Sequence, residues 1–259
     1  MIRLGQVEPV RKRIAEATQN LLGDTIVLSD DDWLAPTRLP GWSRARVAHH
    51  VARSADAMRR VTLAAIDGHE QPLYPSEAQR VAELEADAGL RGLELQIDLD
   101  TTAGGLDEAF GLVTDWLTPI RLPVGALPLS AIVVARLHEV VLHHVDLGTS
   151  YSPAQLDPVT ASWLLQWAAL WLRTKPGLPA VVVESVSGVT EEIGEVGARR
   201  TVTGTDVALW GWLTGRTDDA ELELLEVVFA PLVAASSDAD ARGADDGVAL
   251  GEQLFRERG

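Results

Sequence analysis

Residues 131–147 are mostly Ala, Val, Ile and Leu, yet Arg136, Glu139, His143 and Asp146 interrupt them at spacings of three, four and three. Those spacings put the four side chains on one face of a helix. An ionised group is costly to bury alone, so a polar stripe on so apolar a helix requires solvent, mutual pairing or a metal ion. Glu139 and His143, at i and i+4, can grip one ion between them, and a carboxylate with an imidazole suits a divalent transition metal. The plainer reading of the same pair is two solvated neighbours. Asp146 either orients His143 from behind or makes local contacts at the helix end. His138 and His144 fall off the stripe and read as surface or interhelical residues.

A third ligand must come from elsewhere, and residues 42–51, WSRARVAHHV, offer two adjacent histidines. A helical stripe through Val47, Val51 and Ser54 carries His50 on its flank, whereas His49 points toward Arg46, Arg53 and Asp56, so His50 is preferred. Two histidines and one glutamate leave a coordination position open, the pattern of a catalytic rather than a structural site. The chain has no cysteine. Disulfides, thiolate ligands and a cysteine nucleophile are thereby excluded, and any sulfur chemistry needs a thiol from outside the chain. No G-x-S-x-G elbow, phosphate-binding G-x-x-x-x-G-K-[ST] loop or G-x-G-x-x-G after a strand is present.

The elements that would position these residues are mainly helical. Apolar periodicity predicts long helices over about 7–28, 44–67, 106–117 and 130–147. Ser43 and Ser130 serve as N-caps, Gly68 and Gly148 as stops, and residues 119–128 as a loop. Gly104-Gly105 reads as a flexible turn, Ser29 with its three Asp and Trp33 as a short capped segment, and Ser76 as the start of a polar helix. Four long helices with short connections suggest an antiparallel bundle. Beyond residue 150 comes a helix over about 158–174, with Trp163, Trp167 and Trp171 as core. Strand signals follow at 179–186 and 200–203, then a helix at 205–214 and a last strand or helix at 222–228. The expected organisation is a helical domain over 1–152, a small α+β domain over 153–235 and an acidic, flexible tail over 236–259.

Among 259 residues the formal net charge is −16 and the pI about 4.7, which argues against tracking nucleic-acid phosphates or anionic membranes. Residues 217–259 contribute half of that charge. The longest apolar stretch is far short of a membrane span and the N-terminal residues carry no apolar signal region, so a cytoplasmic protein is expected. A monomer or small homo-oligomer is the expected state.

At these residues the chain resembles the mycothiol-dependent maleylpyruvate isomerases, within the wider DinB-like metal-dependent thiol-transferase superfamily. Residues 40–57, PGWSRARVAHHVARSADA, are similar to the block G-W-[ST]-x(6)-H-[LV]-A-x-[NS]-A, whose histidine falls on His50. Residues 72–80, PLYPSEAQR, resemble the segment after the second helix. Residues 128–148 resemble P-x-S-x(5)-R-x-x-E-x-x-x-H-x-V-D-L-G, which places the remaining ligands on Glu139 and His143. Residues 202–216, VTGTDVALWGWLTGR, are similar to the G-x(11)-R element of a sterol-carrier-like C-terminal domain. Arg46 stands where members of that family often carry histidine.

The resemblance implies a mainly α fold, a DinB-like four-helix bundle followed by a smaller α+β domain. It also implies a divalent metal, zinc foremost, on His50, Glu139 and His143, with mycothiol as the thiol cofactor. A metal-coordinated thiol is deprotonated near neutral pH. Such a thiolate can add to the double bond of maleylpyruvate, permit rotation and leave, or keep its electrophile as in an S-transferase. Arg80 and Arg216 are the candidates to hold carboxylates of substrate or cofactor, since a guanidinium presents a planar fork to them. The competing reading is a non-catalytic metal-containing protein that binds a small apolar ligand or a protein partner.

Overall fold

A computed structural model describes residues 6–76, 78, 82, 91–217 and 223–224. The expected polar helix after Ser76, most of the last element expected at 222–228, the tail over 236–259 and Arg80 all fall outside the described residues, wholly or in large part. The chain divides between Tyr151 and Ser152 into two compact units.

The first unit is helical. Helix α1 (Val7–Thr25) buries Val7, Val10, Ile14 and Leu21 along one stripe. In the short α2 (Asp30–Leu34), the Ser29 hydroxyl accepts from the Asp32 N–H while the Asp32 carboxylate accepts from the Ser29 N–H, a reciprocal capping box. Helix α3 (Arg44–Ile66) starts where the Ser43 hydroxyl accepts from the Arg46 N–H, and stops at Gly68 in a left-handed turn. Helix α4 (Gly92–Gly111) follows, then a hairpin of β1 (Pro119–Leu122) and β2 (Gly125–Pro128), then α5 (Ala131–Asp146). Helix α3 packs on both α4 and α5, and α1 packs on the same two, which closes a four-helix ring. Every residue of α5 is buried. A helix so apolar all round belongs inside a protein, and α5 is the element the others cover.

The structure corrects several expectations. The helix predicted at 106–117 is α4, which begins at Gly92, runs through Gly104-Gly105 and ends at Gly111. Leu95, Leu99, Thr102, Leu106 and Ala109 form its continuous buried stripe, and that packing outweighs the roughly 1 kcal/mol each glycine costs a helix. The loop expected at 119–128 is an antiparallel hairpin with Pro119 opposite Pro128 at its open end, where a missing N–H is tolerated. Ser130 makes no side-chain cap; it already has helical backbone angles, and its N–H donates to the Trp116 carbonyl.

The second unit is α+β. After a 3-10 turn at Pro153–Gln155, α6 (Pro158–Leu172) is capped by the Asp157 carboxylate and buries Trp163 and Trp171, with Trp167 half-buried. Strands β3 (Pro179–Ser185), β4 (Thr190–Ile193) and β5 (Val196–Gly204) lead to α7 (Asp206–Leu213) and the short β6 (Glu223–Leu224). The sheet order is β4-β3-β5-β6, with β3 and β5 parallel and the other pairs antiparallel. Gly194 has φ +67°, and a Cβ there would meet the Pro179 carbonyl oxygen at 2.1 Å, so only glycine fits between β4 and β5. Strand β4 was not foreseen, because TEEI carries two acids on a half-exposed edge strand. Helices α6 and α7 pack against each other and against strands of this sheet. Among the described residues no helix is long and apolar enough to cross a membrane.

Candidate metal centre

His50 sits in the second turn of α3, and Glu139 and His143 lie one turn apart on the facing side of α5. Glu139 Oε2 is 3.3 Å from His50 Nε2 and 3.6 Å from His143 Nε2, and one ligand atom from each residue lies within 4.8 Å of the others. The two imidazoles meet edge to face, centroids 4.7 Å apart. All three residues are buried, His143 completely. Ligand atoms on a tetrahedral zinc-type ion are roughly 3.3 Å apart, given bonds of about 2.0–2.2 Å. The two separations from Glu139 are close to that value, and the third stays within 4.8 Å.

The hydrogen bonding fits it too. Glu139 Oε2 and His143 Nε2 are both buried without an aligned hydrogen bond, a costly state for polar atoms unless a ligand completes them. The other face of His143 is engaged, since its Nδ1 lies 2.9 Å from Asp146 Oδ2 and must be the proton donor to that carboxylate. Burial opposes ionisation of Glu139, but His143 and His50 hold its carboxyl well below the usual carboxylate range. Burial likewise opposes charge on His143; Asp146 and Glu139 outweigh it and push that imidazole up to about 9. Without an ion the cluster is a carboxylate beside two imidazoles, and a cation binding there must displace the proton favoured on His143.

Two arginines fasten α3 to α5 around the cluster. Arg136 Nη1 donates to the Val51 carbonyl at 2.8 Å and to the Ser54 hydroxyl at 3.1 Å, next to His50 in sequence. Burial lowers the Arg136 pKa to about 10, against the opposing pull of Glu139 and Asp56. Arg44 at the start of α3 donates through Nε to the Leu147 carbonyl at 2.7 Å, just past the end of α5. The indole of Trp42 packs edge-on against His50 at 5.6 Å. The stripe on α5 signalled Arg136, but nothing in the sequence indicated that it would reach the carbonyl of a specific α3 residue.

The remaining candidates lie elsewhere. His49 is buried, with Nδ1 3.8 Å from the Asp98 carboxylate that Arg53 also meets, on the α4 side of α3. His138 and His144 are both buried rather than at the surface. His144 is interhelical, its Nε2 3.0 Å from Asp24 of α1 and its ring stacked on Tyr151 at 4.1 Å. Arg216 belongs to the second unit, where it is buried after Gly215 at the end of α7 and its Nη1 donates to the Thr214 carbonyl.

The family model for the mycothiol maleylpyruvate isomerase N-terminal domain matches residues 14–148, from within α1 to the end of α5. Among solved structures, the chain is similar to the mycothiol-dependent maleylpyruvate isomerase (20% identity, TM-score 0.75) and to a histidine-to-alanine mutant of it (20% identity, TM-score 0.76). Each alignment covers 87% of this chain and 96% of the other, so the likeness of fold extends through both units. No curated protein matches significantly. With the family model covering more than half of its residues, the chain belongs to the mycothiol maleylpyruvate isomerase N-terminal domain family, a family of enzymes.

Proposed function

We propose that the protein is a metal- and mycothiol-dependent enzyme that activates the thiol for attack on a small electrophile, in cis-trans isomerisation of maleylpyruvate or a related acid, or in mycothiol S-transfer. The observation that carries this reading is the buried cluster of His50, Glu139 and His143, three protein ligands and no fourth among the described residues, in a chain without cysteine. These residues would hold a divalent ion, zinc by its preference for nitrogen and oxygen in four-coordinate sites. When bound, such an ion supplies the acidity that makes a thiol anionic near neutral pH.

The chain's own residues do the rest. Asp146 engages Nδ1 of His143 and so turns the Nε2 lone pair toward Glu139 and His50. Glu139, held as a carboxylate, brings negative charge to the cluster without needing to lose a proton. Burial of all three residues keeps bulk water from competing with the thiol for the cluster. We assign Arg80 and Arg216 to carboxylates of the substrate or cofactor. A small-molecule electrophile and a low-molecular-weight thiol are then the partners, in the cytoplasm where such a thiol stays reduced.

The test is turnover of maleylpyruvate and a panel of neutral electrophiles with mycothiol, each with and without added zinc. Turnover that needs both thiol and metal is expected on at least one of them. Absence of thiol-dependent turnover on all of them overturns the reading in favour of a non-catalytic binder.

A further inference from the structure

Arg46 lies one helical turn before His50 on α3, and its surroundings differ from those of five other arginines of the first unit. Arg11, Arg53 and Arg121 each meet a carboxylate, while Arg44 and Arg136 are spent on carbonyls. The Arg46 guanidinium instead lies over the indole of Trp42, 4.8 Å from the ring centroid. The residue is only half-exposed, its Nε is buried without a hydrogen-bond partner, and among the described residues no carboxylate forms an ion pair with it. An aromatic face attracts a guanidinium but accepts none of its in-plane N–H bonds, so a stacked arginine keeps its fork free for a planar anion.

Trp42 also fixes where that fork stands. Its other contact is the His50 ring, at 5.6 Å, so one indole touches both the guanidinium and a member of the candidate metal cluster. The backbone that carries the indole is anchored: the Trp42 main-chain N–H donates to the Leu39 carbonyl, the Trp42 carbonyl accepts from the Thr37 N–H, and Pro36 bridges to Ser43 beside it. Sharing one indole, the guanidinium and His50 can be no farther apart than the two contact distances together, so both border the same region of the bundle. We propose that Arg46 binds a carboxylate of the reacting electrophile, making the site selective for small unsaturated acids over their neutral analogues. The inference rests on the reading of His50, Glu139 and His143 as the reaction centre.

The experiment is calorimetric titration of the metal-loaded full chain with maleate, a non-reacting dicarboxylate probe when no thiol is present, and with neutral maleamide. Arg46→Gln should weaken maleate binding at least tenfold with metal content unchanged and maleamide binding unaffected, and Arg46→Lys, which keeps the charge and loses the fork, should fall in between. Maleate binding by Arg46→Gln within twofold of wild type overturns the proposal, as does absence of maleate binding by wild type. Should Arg46→Gln fail to fold, Arg46→Lys decides, and unchanged affinity there counts against the fork. The outcomes separate from those of the functional reading. Loss of maleate binding in Arg46→Gln, beside a wild type that turns over no electrophile with thiol, leaves this assignment standing and removes the enzyme. Thiol-dependent turnover of acids with an unchanged KM in Arg46→Gln does the reverse.

Discussion

Nδ1 of His143 and the carboxylate of Asp146 are 2.9 Å apart, one turn from each other on α5, with both side chains out of solvent. A carboxylate behind a ligating histidine fixes its tautomer and raises its basicity. Asp146→Asn keeps the shape but weakens this hold, so metal affinity measured by competition with a chromophoric chelator should fall about 10- to 100-fold. An unchanged affinity would mean that Asp146 only closes the helix.

Purified protein should carry about one divalent ion per chain, and elemental analysis of His50→Ala and His143→Ala should show it largely lost, because two remaining ligands make a weak site. His49→Ala should retain the ion, since that ring faces Asp98. Loss in His49→Ala with retention in His50→Ala would move the site to the neighbouring histidine.

Because the metal-free His143 imidazole is raised to about 9, it is mostly protonated at pH 7.5, and metal must displace that proton. Apparent metal affinity therefore rises with pH, by about tenfold per unit, and levels off above about pH 9. Calorimetry in two buffers of different protonation enthalpy should count about one proton released per ion at pH 7.5. A count of zero would show the ring to be neutral before binding.

How much of this was legible in the sequence differs from element to element. His50, Glu139 and His143 could be picked out because buried polar side chains on an apolar helix are conspicuous, and because a stripe through Val47 and Val51 turns His50 inward. Helix α3 was readable for a related reason: Ser43 and Gly68 mark its ends with chemistry that acts locally. Helix α4 was mislaid by its glycines, whose cost is local while the compensation, Leu95 and Leu106 packed in the bundle, comes from the tertiary structure. The β1–β2 hairpin was hidden by its prolines for the same reason. Arg136 was visible as a member of the stripe, but its acceptor on α3 depends on the register between two helices, which no single segment encodes.

Arg136 is buried, and its lowered pKa indicates that burial outweighs the favourable charges nearby. Its two acceptors have another bond of their own, as the Ser54 hydroxyl donates to the Val51 carbonyl. Arg136→Met, which fills the volume without a charge, should therefore change the unfolding free energy by less than about 1 kcal/mol, whereas Arg136→Ala should cost about 3 kcal/mol through the cavity it leaves. Urea denaturation at saturating metal distinguishes the two; equal losses would show that the hydrogen bonds, and not the packing, dominate.

Arg216→Lys preserves charge and removes the planar fork, so with a carboxylate-bearing substrate it should raise KM or lower kcat at least tenfold while metal content stays unchanged. Normal kinetics in Arg216→Ala would restrict that arginine to its observed bond with the Thr214 carbonyl.

The ties from Arg44 to Leu147 and from Arg136 to Val51 hold the two ligand-bearing helices at the end and in the middle of their contact. The gap between them is thereby constrained by these side-chain ties as well as by whatever occupies it. A pinned gap works as a gauge of ionic radius. An ion with bonds near 2.1 Å can be reached by small side-chain adjustments, whereas calcium, with bonds of about 2.3–2.6 Å and an appetite for six to eight oxygens, would have to prise the helices apart. The same arginines would thus help decide which ion the proposed site accepts.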